Sequence, residues 1–199
     1  MESIRSYEPA DRAGIYAVCV QTGAAGADAR GMYSSDDVMP DVWAGPYVDL
    51  QPDLAFVLDV DGSVAGYIIA TADTRAFVEL YTARWLPYLA ARYRAVDPPA
   101  TNEQRVLHDG FDPGRMLIAE VDDFPAHLHI NLLPAMQGKG WGRRLISTLV
   151  GELRSRSVPG VHLGIDPENV GAAAFYERVG FHRLPSDDAL FALSIPPVG

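Results

Sequence analysis

Between Gln137 and Gly142 the chain reads Gln-Gly-Lys-Gly-Trp-Gly, three glycines each two residues apart. Ahead of them, Ala126-His-Leu-His-Ile-Asn-Leu-Leu133 begins with the alternation of a strand. Behind them, Leu145, Ile146, Leu149 and Leu153 recur at helical spacing and predict a helix over 141–155. A strand, a glycine turn and a helix commit this region to an α/β layer, and the first amides of such a helix have no acceptor inside it. Glycine lets the backbone approach a ligand and take positive φ. The helix dipole adds its own attraction for an anion, so the pattern reads as a phosphate cradle. It is not a Walker loop, because Gly140 follows Lys139 where a Ser or Thr hydroxyl would be needed for magnesium. Nor is it the dinucleotide fingerprint Gly-x-Gly-x-x-Gly, because position 143 is Arg. What remains is Gln-x-x-Gly-x-Gly, on Gln137, Gly140 and Gly142.

The rest of the chain supplies the sheet and helices around this turn. A short edge strand is expected over 3–7, then a helix that starts at Pro9 and Asp11 and runs through Ile15, Val18 and Cys19. Residues 22–37, rich in Gly, Ala, Ser and Asp, read as a loop, and 39–47 as a short helix from Pro40. Asp61-Gly62 between the β-rich runs 54–60 and 64–70 predicts a hairpin. Phe77, Tyr81, Trp85 and Leu89 recur every four residues and predict a helix over 77–93, which Pro87 should kink or break. Its stripe reads first as packing and alternatively as a wall over a pocket. The stretch 96–115 is polar and Pro-rich, with a short helix over 103–108. A strand over 161–165, a helix over 169–179 stopped by Gly180, and strands over 181–184 and 189–195 complete the pattern.

A length of 199 residues suits one domain, 1–199, with its own core. The net charge of −10, with no basic stripe, argues against a nucleic-acid partner and favours a cationic one. One cysteine, Cys19, forms no internal disulfide, and the acidic start MESIRSYEPADR is unlike a signal peptide. The apolar run 13–20 is too short to span a bilayer, so a cytoplasmic protein with no membrane partner is expected.

The Gln137 loop in this setting resembles the pyrophosphate-binding loop of the GNAT superfamily of acyl-CoA N-acyltransferases. Downstream, Asp166-Pro-Glu-Asn169-Val-Gly-Ala-Ala-Ala-Phe175-Tyr176-Glu-Arg-Val-Gly180-Phe181 resembles the second signature of that superfamily. Together the two cover about 126–184. Gly66-Tyr-Ile-Ile-Ala-Thr-Ala-Asp73-Thr-Arg-Ala-Phe77, Trp85-Leu-Pro87, Tyr93 and Asp123-Phe124-Pro125 are similar to the acetyltransferase-like C-terminal domain of O-GlcNAcases, here as a stand-alone bacterial relative. In the eukaryotic enzymes that domain is regarded as degenerate, whereas the Gln137 loop here is intact.

The resemblance implies a GNAT fold: a mixed central β-sheet flanked by helices, with a helical insertion around 75–115. It implies acetyl-CoA as cosubstrate, no metal, and direct attack by the primary amine of a small molecule or of a protein or peptide lysine. It allows a homodimer and does not decide the acceptor. Main chain near Leu132 and Leu133 would bond the pantetheine arm. Gln137, Gly138, Lys139, Gly140, Trp141, Gly142 and Arg143 would hold the pyrophosphate, with Lys139, Arg143 or Arg178 reaching outer phosphates. Asn169 would fix the second helix and meet the pantetheine, and the Leu133 amide would polarise the thioester carbonyl. Tyr176 would give a proton to the leaving thiolate. The base stays open among Asp122, Asp123, His127, His129 and water, with Asp123 favoured as the residue before Phe124-Pro125 at the mouth of the expected cleft. His127 and His129 share a strand face at a spacing of ~7 Å that would also suit a metal, but no third ligand is evident. Asp73 is a further candidate to face the acceptor. The alternative reading is an acetyl-CoA-binding module without turnover, and a third is a nucleotide-binding protein.

Overall fold

A computed structural model describes residues 1–166 and 169–197. Its centre is a seven-stranded sheet of order β1-β2-β3-β4-β5-β7-β6. The strands are β1 (Glu2–Ser6), β2 (Ala55–Val60), β3 (Ser63–Thr71), β4 (Ala126–Leu132), β5 (Gly160–Gly164), β6 (His182–Leu184) and β7 (Asp187–Ser194). Every neighbouring pair is antiparallel except β4 and β5. The expected hairpin is β2–β3, with Asp61-Gly62 at its tip. The link from β4 to β5 runs through a helix over Trp141–Ser155, since parallel neighbours need a crossover.

The described residues form eight α-helices: α1 (Arg12–Gln21), α2 (Val38–Trp43), α3 (Gly45–Leu50), α4 (Thr74–Leu80), α5 (Leu86–Arg92), α6 (Asn102–Phe111), α7 (Trp141–Ser155) and α8 (Val170–Arg178). Period-two alternation in the strands divides the core. Phe56, Ile68, Ala126 and Leu128 face α7 and α8, meeting Leu145, Leu149 and Tyr176. Val57, Tyr67 and Ile69 face the other way, onto Ile15 of α1, Tyr47 of α3 and Phe77 of α4. The helix expected over 141–155 has those bounds, and each of its buried leucines contributes about 1.5–3 kcal/mol.

The expected insertion is α4, α5 and α6. Its aromatic stripe is core: Phe77, Tyr81, Trp85 and Leu89 are all buried. Pro87 does not end the helix. The turn ahead of it, Tyr81–Trp85, widens so that the Leu86 amide donates to the Tyr81 carbonyl, five residues back. Proline brings no N–H, and the wider turn absorbs the missing rung while keeping the stripe on one face. The helix expected over 39–47 is two pieces, α2 and α3, broken at Ala44 (φ −131°), because Pro46 has no N–H to give the Val42 carbonyl four residues back. The buried Asp41 carboxylate clamps α2 to the insertion, accepting from Tyr16 (2.7 Å) and Tyr93 (2.8 Å) and pairing with Arg92 at 3.2 Å. None of the described helices is long and apolar enough to cross a membrane.

Candidate active site

β4 and β5 are in register only at Ala126↔Val161 and His127↔His162. Beyond those two pairs β4 stays with β3 and β5 stays with β7, so a gap opens in the sheet toward their C-terminal ends. Two spaces meet there. A cleft of about 160 Å³ is lined by Leu128, Ile130, Gly164, Asn169 and Tyr176 among others. A cavity of about 540 Å³ lies on the α1–α3 face and is bordered by Trp43, Tyr47, Arg115, His127 and His162. His129, Asn131, Asp166 and Asn169 line both, so the gap joins the two faces of the sheet.

The glycine turn stands at the end of β4. Gly140 is the N-cap of α7, has φ of 84°, and brings no capping side chain. The Arg144 amide takes the Gly140 carbonyl, which leaves the amides before it at the helix mouth for another acceptor. Side chains at Gly138 and Gly140 would be strained, because both have positive φ. Gly142 has a different reason to be glycine: a Cβ there would sit 2.9 Å from the Phe175 ring, so its absence lets α7 and α8 close up beside the turn.

The predicted site residues divide into those at this junction and those away from it. The Gln137 side chain donates to the Leu132 carbonyl at 3.0 Å and ties the loop to the strand end. The Trp141 ring is turned into the core against Leu58 and Ala65, and its Nε1 donates to Glu2, so only its main chain faces the turn. Lys139 is exposed beside the cradle. The Arg143 guanidinium donates to the Arg178 carbonyl at 3.1 Å. Asn169 caps α8 by accepting from the Ala172 amide. Pro167 and Glu168 of the second motif lie outside the described residues. Tyr176 is buried among Phe175, Phe181 and Phe191 and reaches the cleft. Burial pushes its phenol well above the usual tyrosine range, so it is protonated at neutral pH.

Four candidates are engaged or placed otherwise than expected. The Leu133 amide does not polarise a substrate carbonyl, because it donates to Ala65 at 3.0 Å. Strand alternation then turns the amides of Ile130 and Leu132 away from β3, toward the gap. Asp123 is not at the cleft mouth: it is exposed in the turn before β4, at the end of the strand opposite the gap. Asp122 beside it pairs with Arg75 at 2.9 Å, and Asp73 caps α4 by accepting from the Ala76 amide.

The two strand histidines lead to groups that the sequence reading did not single out. The Nε2 atoms of His127 and His129 both sit on the Tyr47 hydroxyl, at 2.7 and 3.0 Å. His127 Nδ1 lies 2.7 Å from the Thr74 hydroxyl, and His162 Nδ1 lies 2.8 Å from the Phe124 carbonyl. Burial, with neighbouring histidines and Arg115, holds His127 well below the usual histidine range. Burial and Arg115 push His129 down to about 3. Burial lowers His162 as well, against its bond to the Phe124 carbonyl. All three imidazoles are therefore neutral at pH 7. Arg115 lies over the Trp43 ring at 4.2 Å and donates from Nε to the Asp109 carbonyl. His127, His129 and His162 carried a signal in their strand alternation. Tyr47, Thr74 and Arg115 come from distant segments and carried none.

The model of the acetyltransferase (GNAT) family matches residues 24–181. The O-GlcNAcase of Rattus norvegicus is 20% identical over 181 residues, which is 89% of this chain; the chain spans about a fifth (20%) of that protein's length. Among solved structures, SsHAT is 43% identical with a TM-score of 0.92, over 98% of each chain. A GNAT family acetyltransferase from Brucella melitensis, solved in complex with acetyl-CoA, shares the fold at 19% identity and a TM-score of 0.51, over 99% of this chain and 90% of that one.

Proposed function

The chain belongs to the acetyltransferase (GNAT) family, and on that footing we propose that it transfers the acetyl group of acetyl-CoA to a primary amine by direct attack. The observation that carries this reading is the gap between β4 and β5. It joins an uncapped helix N-terminus, a protonated buried phenol and a separate cavity. The residues present fit the cosubstrate, which supplies an activated acetyl thioester. Amides at the start of α7, with Gly138 and Gly140 in positive φ, would hold the pyrophosphate, and Lys139 would add its charge. The amides of Ile130 and Leu132 would bond the pantetheine, which resembles a short strand, with Asn169 beside it. The amine would enter from the cavity on the opposite face.

Tyr176 serves as the acid. A thiol has a pKa of about 8.5, so its thiolate needs only a weak donor, and a phenol can give a proton and regain one from solvent. The protein acts as a single domain in this scheme, with no metal called for and the dimer optional. The test is calorimetric titration with acetyl-CoA, followed by free-thiol release with n-butylamine, spermidine, lysine amide and a lysine-bearing peptide. Binding with amine-dependent release supports the enzyme. Binding without release for any amine means a binding module, and tighter binding of ATP than of acetyl-CoA means a nucleotide site.

A further inference from the structure

Four side chains below the sheet form a hydrogen-bonded chain whose direction can be worked out from one end. The Thr74 hydroxyl is 2.7 Å from the Pro125 carbonyl and 2.7 Å from His127 Nδ1. A carbonyl only accepts. If the Thr74 proton pointed at His127, two oxygens would face each other at 2.7 Å with no hydrogen between them. The hydroxyl therefore donates to Pro125, and the Thr74 oxygen accepts from His127 Nδ1–H. A neutral imidazole carries one N–H, so His127 Nε2 is an acceptor and takes the Tyr47 proton at 2.7 Å. The other acceptor near that hydroxyl is the Met116 thioether, at 3.8 Å, which is weaker and farther. With its proton committed, the Tyr47 oxygen accepts from His129 Nε2–H at 3.0 Å. His129 is neutral too, so its remaining nitrogen carries a lone pair.

We infer that the chain Pro125–Thr74–His127–Tyr47–His129 locks His129 as the Nε2–H tautomer and makes Nδ1 the base that receives a proton from the attacking amine. This rests on the acetyltransferase reading. The position suits the task, because His129 lines both the cavity on the amine side and the cleft that holds Tyr176. His127, His162, Tyr47 and Arg115 face it from β4, β5, α3 and the turn after α6, and Arg115 sits where it opposes a resting positive charge on either imidazole or amine. The proton therefore moves late. The amine nitrogen lone pair forms the C–N bond to the thioester carbonyl carbon, which acidifies that nitrogen. One N–H proton passes to His129 Nδ1. The C–S bond breaks with its electron pair going to sulfur, which takes the Tyr176 proton. His129 releases its proton to water, and Tyr176 regains one. His129 is the catalytic residue here; Tyr47, His127 and Thr74 position it.

The test is long-range proton–nitrogen NMR of the histidine rings in the whole 15N-labelled protein, which reads tautomers without turnover. His129 should show a protonated Nε2 and a bare Nδ1, and His127 the reverse. Tyr47→Phe, which keeps the ring and loses the hydroxyl, should mix the two His129 tautomers. Thr74→Val should mix them as well, while Thr74→Ser should keep the wild-type pattern. With whichever of the four amines releases thiol, Tyr47→Phe should lower kcat at least about tenfold and leave KM for acetyl-CoA unchanged. A His129 carrying its hydrogen on Nδ1, or a Tyr47→Phe protein with wild-type tautomers or wild-type kcat, overturns the inference. Absence of thiol release with every amine instead overturns the acetyltransferase reading, and the tautomer result then judges the locked chain by itself.

Discussion

Tyr176 projects from α8 on one side of the sheet, and His129 from β4 toward the other. Both line the cleft at the point where the sheet parts. Two neutral groups, one holding a proton and one holding a lone pair, are what an amine and a thioester need between them. Burial keeps each neutral at rest: the phenol is pushed up and the imidazole is pushed down to about 3. Tyr176→Phe removes the donor and little else, since its ring stays packed on Phe181 and Phe191. We predict a fall in kcat of about 10²-fold, with the acetyl-CoA dissociation constant unchanged by calorimetry. Unaltered turnover would remove Tyr176 from the mechanism. At this scale the sequence was legible in placement where a motif set it, since Gly140, Asn169 and Tyr176 all stand at the gap. It misled at Asp123, because proximity to β4 along the chain says nothing about which end of the strand faces the gap. It was silent on Tyr47, which reaches β4 only through tertiary packing some eighty residues away (|i−j| of 80).

At the scale of elements, the site depends on α7 and α8 lying close together behind the gap. Gly142 permits this, with Phe175 seated where its side chain would be. Gly142→Val should force the helices apart and cost about 1–3 kcal/mol in urea denaturation. It should also weaken acetyl-CoA binding, because the amides at the head of α7 and the cleft at α8 would no longer hold their spacing. Adding Phe175→Ala should restore part of the lost affinity; no recovery in the double variant would mean that Gly142 acts for another reason. Most elements were readable in advance. The hairpin had its Asp-Gly turn, and α7 had an uninterrupted apolar stripe. The break between α2 and α3 and the widened turn before Pro87 were not, since a proline shows that a helix must adjust without showing how.

At the scale of the whole molecule, two buried histidines, His127 and His162, and the half-buried His129 are neutral and make stability depend on pH. In the unfolded chain each would titrate near 6.5, while in the folded protein each is lowered. Below 6.5 the unfolded state therefore binds more protons, and stability falls as pH drops. Each histidine contributes up to about 1.4 kcal/mol per pH unit. The carboxylates held low by arginines, such as Asp11, begin to contribute only as pH falls through the ordinary carboxylate value of 3.8. Urea midpoints should therefore be flat from pH 8 to 7 and decline between about 6.5 and 4. His129→Asn should make that decline shallower. An unchanged slope in the variant would show that His129 is not held neutral by the fold. The sheet order also places the cleft and the cavity on opposite sides of one gap, and this could not be read from either motif alone. The most direct measurement is a crystal structure of the protein with acetyl-CoA. The pyrophosphate should lie on the amides leading into α7, with the acetyl carbon between Tyr176 and His129. A cosubstrate bound outside the β4–β5 gap, or with its thioester turned away from both side chains, would contradict it.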